Sequence, residues 1–260
     1  MKVIVLGCGT STGVPNIGCR CSVCTSENPK NRRLRTSVWM SWDGRGVLVD
    51  TSTDLRSQAL RHQVPRVDAV LYTHSHADHI HGIDELRSYN ALQKSEIPCF
   101  GSEQTLAYLR RSFPYIFEPE ENGLTYIPHL RGRVIDGPFD LFGHRVVPLP
   151  ADHGPGGPVY GYRVGPFAYL TDVASVPEET VELMQGLEVL ILDALRPSFH
   201  PSHLTIEAAT EAARRIGAKR TYFTHMSHDV DYDEINPGLP AGVELAYDGL
   251  RFDFGDPDPA

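Results

Sequence analysis

With 260 residues, 41% of them hydrophobic, the chain holds enough apolar material to bury a sizeable core, and no apolar run approaches the roughly 20 residues that cross a bilayer. A formal charge of −9, from 24 Lys and Arg against 33 Asp and Glu, removes the general basic field that a long polynucleotide needs; small anions stay open, since bound metals supply local positive charge. Of five cysteines, Cys19, Cys21 and Cys24 are spaced as metal ligands rather than as a disulfide framework, which points to a reducing cytoplasm and no membrane.

Residues 1–6 are too short for the apolar part of a signal peptide and read as a first strand, so no export is expected. Strand patterns follow at 37–42 and 47–50, joined by the turn pair Asp43-Gly44, giving an N-terminal β-meander. Leu55, Ala59 and Leu60 share one helical face in a segment that Thr51 or Ser52 could cap, and 67–72 is the next strand. That strand runs into Thr73-His74-Ser75-His76-Ala77-Asp78-His79, and the spacing of Ile83, Leu86 and Leu92 predicts a helix over 79–92.

Further strands are predicted at 97–100, 146–149, 160–164, 167–170, 189–192 and 221–223, with helices at 102–111, 178–184 and 205–216. The stretch 113–123 reads as a lid or a solvated loop, and 255–260 as a frayed tail. A single domain over 1–260 is expected, with a zinc-binding loop around 18–24. Asp50, His74, His153, Asp172, Asp193 and His225 each lie just past an apolar run, so one rim of the sheet structure should collect them.

In His74-x-His76-x-Asp78-His79, an extended loop throws the first two histidines to one side, while Asp78 and His79 at a helix entrance reach a neighbouring position. Two adjacent ions of zinc, manganese or iron fit these ligand types, at the roughly 3.5 to 4 Å spacing that a shared carboxylate bridges. The plain alternative is a solvated polar turn. Cys19, Cys21 and Cys24 supply three thiolates, and tetrahedral zinc wants a fourth ligand, for which His228 is the candidate. Within His225-Met226-Ser227-His228, one histidine would then face the catalytic cluster and the other a structural zinc. Cys8 and Cys99, alone on apolar strands, read as packing residues.

These residues resemble the signature loop of the metallo-β-lactamase superfamily, and the resemblance runs along nearly the whole chain through Asp50, His153, Asp172 and His225. It implies an α/β fold, the four-layer αββα sandwich. It also implies that His74, His76 and His153 hold a first metal, that Asp78, His79 and His225 hold a second, and that Asp172 bridges them. Asp50 would accept the free ring N–H of a ligand histidine, with helix capping as an equal alternative. His81 reads as a surface or supporting histidine.

The cysteine loop after Gly7-x-Gly9-Thr10-Ser11, the run Asp50-Thr51-Ser52-Thr53-Asp54-Leu55-Arg56, the segment Asp84-Glu85-Leu86-Arg87 and the terminal His-Met-Ser-His are similar to the phosphoribosyl 1,2-cyclic phosphate phosphodiesterase group, relatives of the tRNA 3′-end processing nucleases. That resemblance implies a homodimeric, binuclear metal-dependent phosphodiesterase with two catalytic zinc or manganese ions and one structural zinc. A metal-bridging hydroxide would attack a small cyclic or nucleotide-like phosphodiester, and His203 would protonate the departing sugar oxygen, with Asp78 and Asp50 completing the catalytic set. His200 is the other candidate for that proton, and a histidine merely beside a helix cap is the plain alternative for His203. Arg56 and Arg87 could contact phosphate or simply be solvated. The chain shows no long basic insertion, so transfer RNA ranks below a small phosphodiester. A glyoxalase-type thioester hydrolase and a non-enzymatic metal-bound carrier module of cofactor biosynthesis are the rival readings, the second opposed by a ligand set with every position filled.

Overall fold

The computed structural model describes residues 1–117 and 126–255. The expected lid or loop at 113–123 is described only through Phe117, and the expected tail at 255–260 only at Gly255; the rest of both lies outside the described residues.

The strands are β1 (Lys2–Gly7), β2 (Ser37–Trp42), β3 (Arg45–Val49), β4 (Ala69–Leu71), β5 (Ile97–Gly101), β6 (Leu130–Val134), β7 (Phe139–Leu141), β8 (His144–Asp152), β9 (Pro158–Val164), β10 (Phe167–Leu170), β11 (Val189–Asp193), β12 (Arg220–Thr224), β13 (Val243–Leu245) and β14 (Arg251–Asp253). They form two seven-stranded sheets, ordered β14-β1-β2-β3-β4-β5-β6 and β13-β12-β11-β10-β9-β8-β7. Helices α1 (Leu55–His62), α2 (Ala77–Ile80), α3 (Leu86–Gln93), α4 (Glu103–Ser112) and α5 (Pro114–Phe117) follow strands of the first sheet; α6 (Glu178–Leu183), α7 (Ile206–Ile216) and α8 (Tyr232–Ile235) belong with the second.

The layering follows from period-2 alternation with both faces apolar. Val3, Val5, Val38, Met40, Val47, Val49, Ala69 and Leu71 point inward and share one buried cluster with Leu149, Tyr162, Tyr169 and Leu170 of the second sheet. The alternate residues Ile4, Leu6, Trp39, Leu48 and Val70 point outward and are covered by Leu55, Leu86, Leu106 and Leu109 of α1, α3 and α4. On the far side, Val181 of α6 and Ala209, Ala212 and Ile216 of α7 cover the second sheet. The result is the four-layer αββα sandwich. The Asp43-Gly44 hairpin forms as expected: Trp42 pairs with Arg45, and both turn residues take the left-handed φ (48° and 72°) that a two-residue turn of this hand requires.

Three local expectations are corrected. The helix predicted over 79–92 breaks after Ile80, passes through a 3₁₀ turn (Ile83–Glu85) and restarts as α3, because Gly82 must lie hard against the chain at Ser52. Its amide donates to the Thr51 carbonyl, and a Cβ there would sit 2.0 Å from the Ser52 carbonyl oxygen. Leu60 and Leu92, read as apolar-face residues, are 64% and 76% exposed. Neither Thr51 nor Ser52 caps α1: its first turn is preceded by Asp54, whose own amide donates to Ser52 Oγ. Strands β6, β7, β13 and β14 went unpredicted; β7, β13 and β14 have three residues each and β6 reads Leu-Arg-Gly-Arg-Val, too short or too polar to show periodicity.

Candidate metal centre

Parallel pairing of β3 with β4, and of β10, β11 and β12 with one another, brings their C-terminal ends to one rim. Asp50 follows β3, His153 follows β8, Asp172 lies two residues past β10, Asp193 ends β11 and His225 follows β12. Three of these turn sharply out of their strands: Asp50, Asp172 and His225 have φ of 63°, 60° and 60°. Asp and His tolerate this region better than most residues, but each such non-glycine position still costs on the order of 1 kcal/mol, which the packed rim must offset.

Ligand-type atoms of His74, His76 and His153 lie within 4.8 Å of one another, as do those of Asp78, His79, Asp172 and His225. Asp172 joins the two groups. Its Oδ1 is 4.0 Å from Nε2 of both His74 and His153 and 3.2 Å from Nε2 of His225, while its Oδ2 is 3.3 Å from Nε2 of His79. Oδ2 of Asp78 lies 3.2 Å from His79 Nε2 and 3.6 Å from His225 Nε2. Ligands on a tetrahedral ion with bonds of about 2.1 Å are roughly 3.4 Å apart, so these separations suit a shared cation. Nε2 of His74, His79 and His225 is buried without a hydrogen-bond partner, a costly state unless an ion accepts the lone pair.

The far ring nitrogens of His74, His79 and His153 are held. Nδ1 of His79 donates to Asp50 Oδ2 at 2.7 Å, and Nδ1 of His153 donates to the Ser202 carbonyl at 2.7 Å. Asp50 also accepts from the amide and hydroxyl of Thr73, both at 2.8 Å, which leaves Thr73 Oγ1 to accept from His74 Nδ1 at 3.0 Å. These bonds put the proton on Nδ1 and leave Nε2 bare toward the cluster. Asp50 is fully buried and serves His79 rather than capping a helix.

The cluster's charges are strongly coupled. Burial pushes His74 and His153 down and penalises every carboxylate, yet Asp172 is held well below the ordinary range by His225, His79 and His74. Burial alone would lower His79, but Asp172, Asp78 and Asp50 together raise it, and Asp172 and Asp78 do the same for His225. Divalent ions would supply the positive charge that these imidazoles otherwise have to carry as protons.

His203 sits at the edge of the cluster. Its ring stacks on His225 at 4.6 Å between centroids and lies 4.8 Å from His153, and its Nδ1 donates to Asp193 Oδ1 at 3.1 Å. Asp193 also accepts from the amides of Leu204 (2.9 Å) and Asp172 (3.2 Å). The sequence reading placed Asp193 on the rim without a role; its position at the end of the strand between those leading to Asp172 and His225 was the available signal. His200 accepts from the Ser202 amide and lies 5.1 Å from the His203 ring. His81 is exposed and stacks edge-on against Phe113; Arg87 lies over Tyr126, and Arg56 lines a groove with Leu60 and Leu92, so none of these three joins the cluster.

Cys19, Cys21, Cys24 and His228 form a second grouping, their ligand-type atoms within 4.8 Å of one another. His228 Nδ1 is 3.3 Å from Cys19 Sγ and 3.4 Å from Cys21 Sγ. Backbone amides of Asn16 and Cys24 donate to Sγ of Cys24 and Cys21, and the Cys24 amide with His228 draws the Cys21 thiol down to about 6. Cys8 and Cys99 are buried free thiols whose titration burial pushes up.

Among known proteins, the β-lactamase superfamily domain matches residues 45–226. An octanoyltransferase of Porphyromonas gingivalis is 37% identical over 254 residues, 96% of this chain and 51% of that protein, so the chain spans about half the length of that relative. Coenzyme PQQ synthesis protein B of Methylobacterium nodulans is 36% identical over 101 residues, 34% of each chain. In three dimensions, a diphosphatase from the PhnP family superposes with a TM-score of 0.91 at 43% identity, covering 98% of both chains. Zinc-bound PqqB from Methylobacterium extorquens superposes at 0.79, covering 98% of this chain and 100% of its own, but at 20% identity it speaks for the fold alone. The strand-end cluster, the two-sheet sandwich and the match over 45–226 agree: the chain belongs to the β-lactamase superfamily domain family and has the metallo-β-lactamase fold.

Proposed function

We propose that this protein is a hydrolase that cleaves a phosphorus–oxygen bond in a small phosphodiester, cyclic or nucleotide-like, using two divalent metals, zinc or manganese. His74, His76 and His153 would hold one, Asp78, His79 and His225 the other, with Asp172 between them, and Cys19, Cys21, Cys24 and His228 would hold a structural zinc. When bound, such a metal pair supplies Lewis acidity and brings the pKa of a bound water toward neutrality. The carrying observation is the single Asp172 carboxylate shared by two groups of bare imidazole nitrogens, beside a histidine held by its own carboxylate.

The chain's residues take distinct parts. Asp50 and Thr73 hold His79 and His74 in one tautomer, and the Ser202 carbonyl does so for His153. With Nδ1–H committed to Asp193, His203 presents Nε2 as the nitrogen free to carry a second proton, which it would give to the departing oxygen. The diphosphatase neighbour brings a phosphoric anhydride within the same chemistry, and the charge of −9 favours small anions over transfer RNA.

The test loads the protein with zinc or manganese and offers an aryl phosphodiester, a ribose cyclic phosphate, a diphosphate and a glutathione thioester. Cleavage of a phosphate substrate, lost in His74→Ala, supports the reading. Thioester cleavage alone would favour the glyoxalase-type reading, and no turnover with full metal content would favour a carrier module.

A further inference from the structure

The largest fully buried side chain among the described residues is that of Arg33, 1% exposed. Burying a cation costs several kcal/mol unless its donors are satisfied, and here each guanidinium nitrogen has an acceptor, four bonds in all. Nε donates to the Lys30 carbonyl (3.1 Å), Nη1 to the Ser227 carbonyl (3.1 Å), and Nη2 to Asn31 Oδ1 (3.0 Å) and the Val230 carbonyl (2.7 Å). Nearby Asp248 and Asp231 offset the charge.

Two of the four acceptors, Ser227 and Val230, bound the turn that carries His228, three residues after His225. The backbone of Arg33 pairs with Val14 in both directions at 2.8 Å, and Val14 packs with Val23 and Cys24 under the thiolate group. Asn31, equally buried, closes the clamp: Oδ1 also accepts from the Tyr232 amide and Nδ2 donates to Asp231, both at 2.9 Å. One planar fork therefore ties the cysteine loop to the turn shared by both ligand groups. A lysine, with a single compact ammonium, cannot meet three directions in one plane.

We infer that Arg33 is a positioning residue: it holds the 227–230 turn so that His225 faces the catalytic cluster and His228 the thiolate cluster, giving both ligand groups one common support. This rests on the metal-site reading above. The test compares wild type, R33M, R33K and L109A, the last a cavity in the remote helix-covered core that lowers stability without touching the turn. Each chain is loaded with cobalt. Thiolate-to-cobalt absorption and metal content per chain are read first, then kcat and KM on an aryl phosphodiester.

R33M is expected to lose most of the thiolate band and about tenfold in kcat or more, with KM within about twofold of wild type, and R33K to fall between. L109A should keep both. A full band and wild-type kcat in R33M, or equal losses in L109A, would overturn the inference. If R33M does not fold, R33K decides: an unchanged band and kcat there overturn it. Wild type that binds cobalt at the thiolates yet cleaves no diester would fail the hydrolase reading alone, and the band would still decide Arg33.

Discussion

Nδ1 of His79 and Oδ2 of Asp50 meet at 2.7 Å with both side chains sealed from solvent, 29 residues apart in sequence. This bond fixes which nitrogen of His79 faces the cluster. Replacing Asp50 by Asn removes the buried negative charge and presents either an acceptor or a donor where a strong acceptor stood. Asp50→Asn should weaken metal binding by about 10- to 100-fold, measured by competition with a chromophoric chelator; unchanged affinity would show that the pair has no part in ligand basicity.

His203 is assigned to the leaving group, so its loss should depend on what leaves. His203→Gln should lower kcat by about 10² to 10⁴ on a diester with an alkoxide leaving group and far less on a nitrophenyl diester, whose departing oxygen needs no proton. Metal content should not change. Equal losses on both substrates would assign His203 a binding role instead.

Removing metal should loosen two places separately. A chelator strong enough to empty the cluster leaves His74 with a bare buried nitrogen and makes His79 and His225 take up protons beside Asp172 and Asp78, and the melting temperature should fall by several degrees. Cys21→Ser should lower zinc content by one ion per chain while the Asp172 cluster stays loaded; loss of all metal at once would show a single cooperative unit.

Gly82 is where the predicted helix breaks. A Cβ at this position meets the Ser52 carbonyl oxygen at 2.0 Å and the Leu55 Cβ at 2.9 Å, backbone and stem atoms that cannot swing aside. Gly82→Ala should cost about 2 to 4 kcal/mol in denaturant unfolding, and a loss below about 1 kcal/mol would mean that the 50–52 loop can move.

Asp248 carries a pH dependence. Burial pushes its carboxyl up to about 6, against the amides of Leu34 and Cys8. Since this exceeds the ordinary carboxylate value of about 4, the folded chain binds the extra proton. The stability gained is complete below pH of about 4 and lost as pH rises through about 6. The melting temperature of wild type minus that of Asp248→Asn should therefore fall between pH 5 and pH 7.5; a constant difference would show the carboxyl ionised throughout.

Local pattern was enough for most of the strands, for the Asp43-Gly44 hairpin and for the strand-end rim, with His74, His76, Asp78 and His79 set by spacing on one strand-to-helix loop, while the grouping with His153, Asp172 and His225 came from the family resemblance. It was not enough where the deciding contact lies far along the chain. Gly82 breaks its helix against Ser52, Asp193 finds His203 from a neighbouring strand, Asp50 reaches His79, and Arg33 is buried by a turn nearly 200 residues later. Each of those depends on which strand ends the sheets place side by side, and periodicity reports which face of an element is apolar, not what stands opposite it.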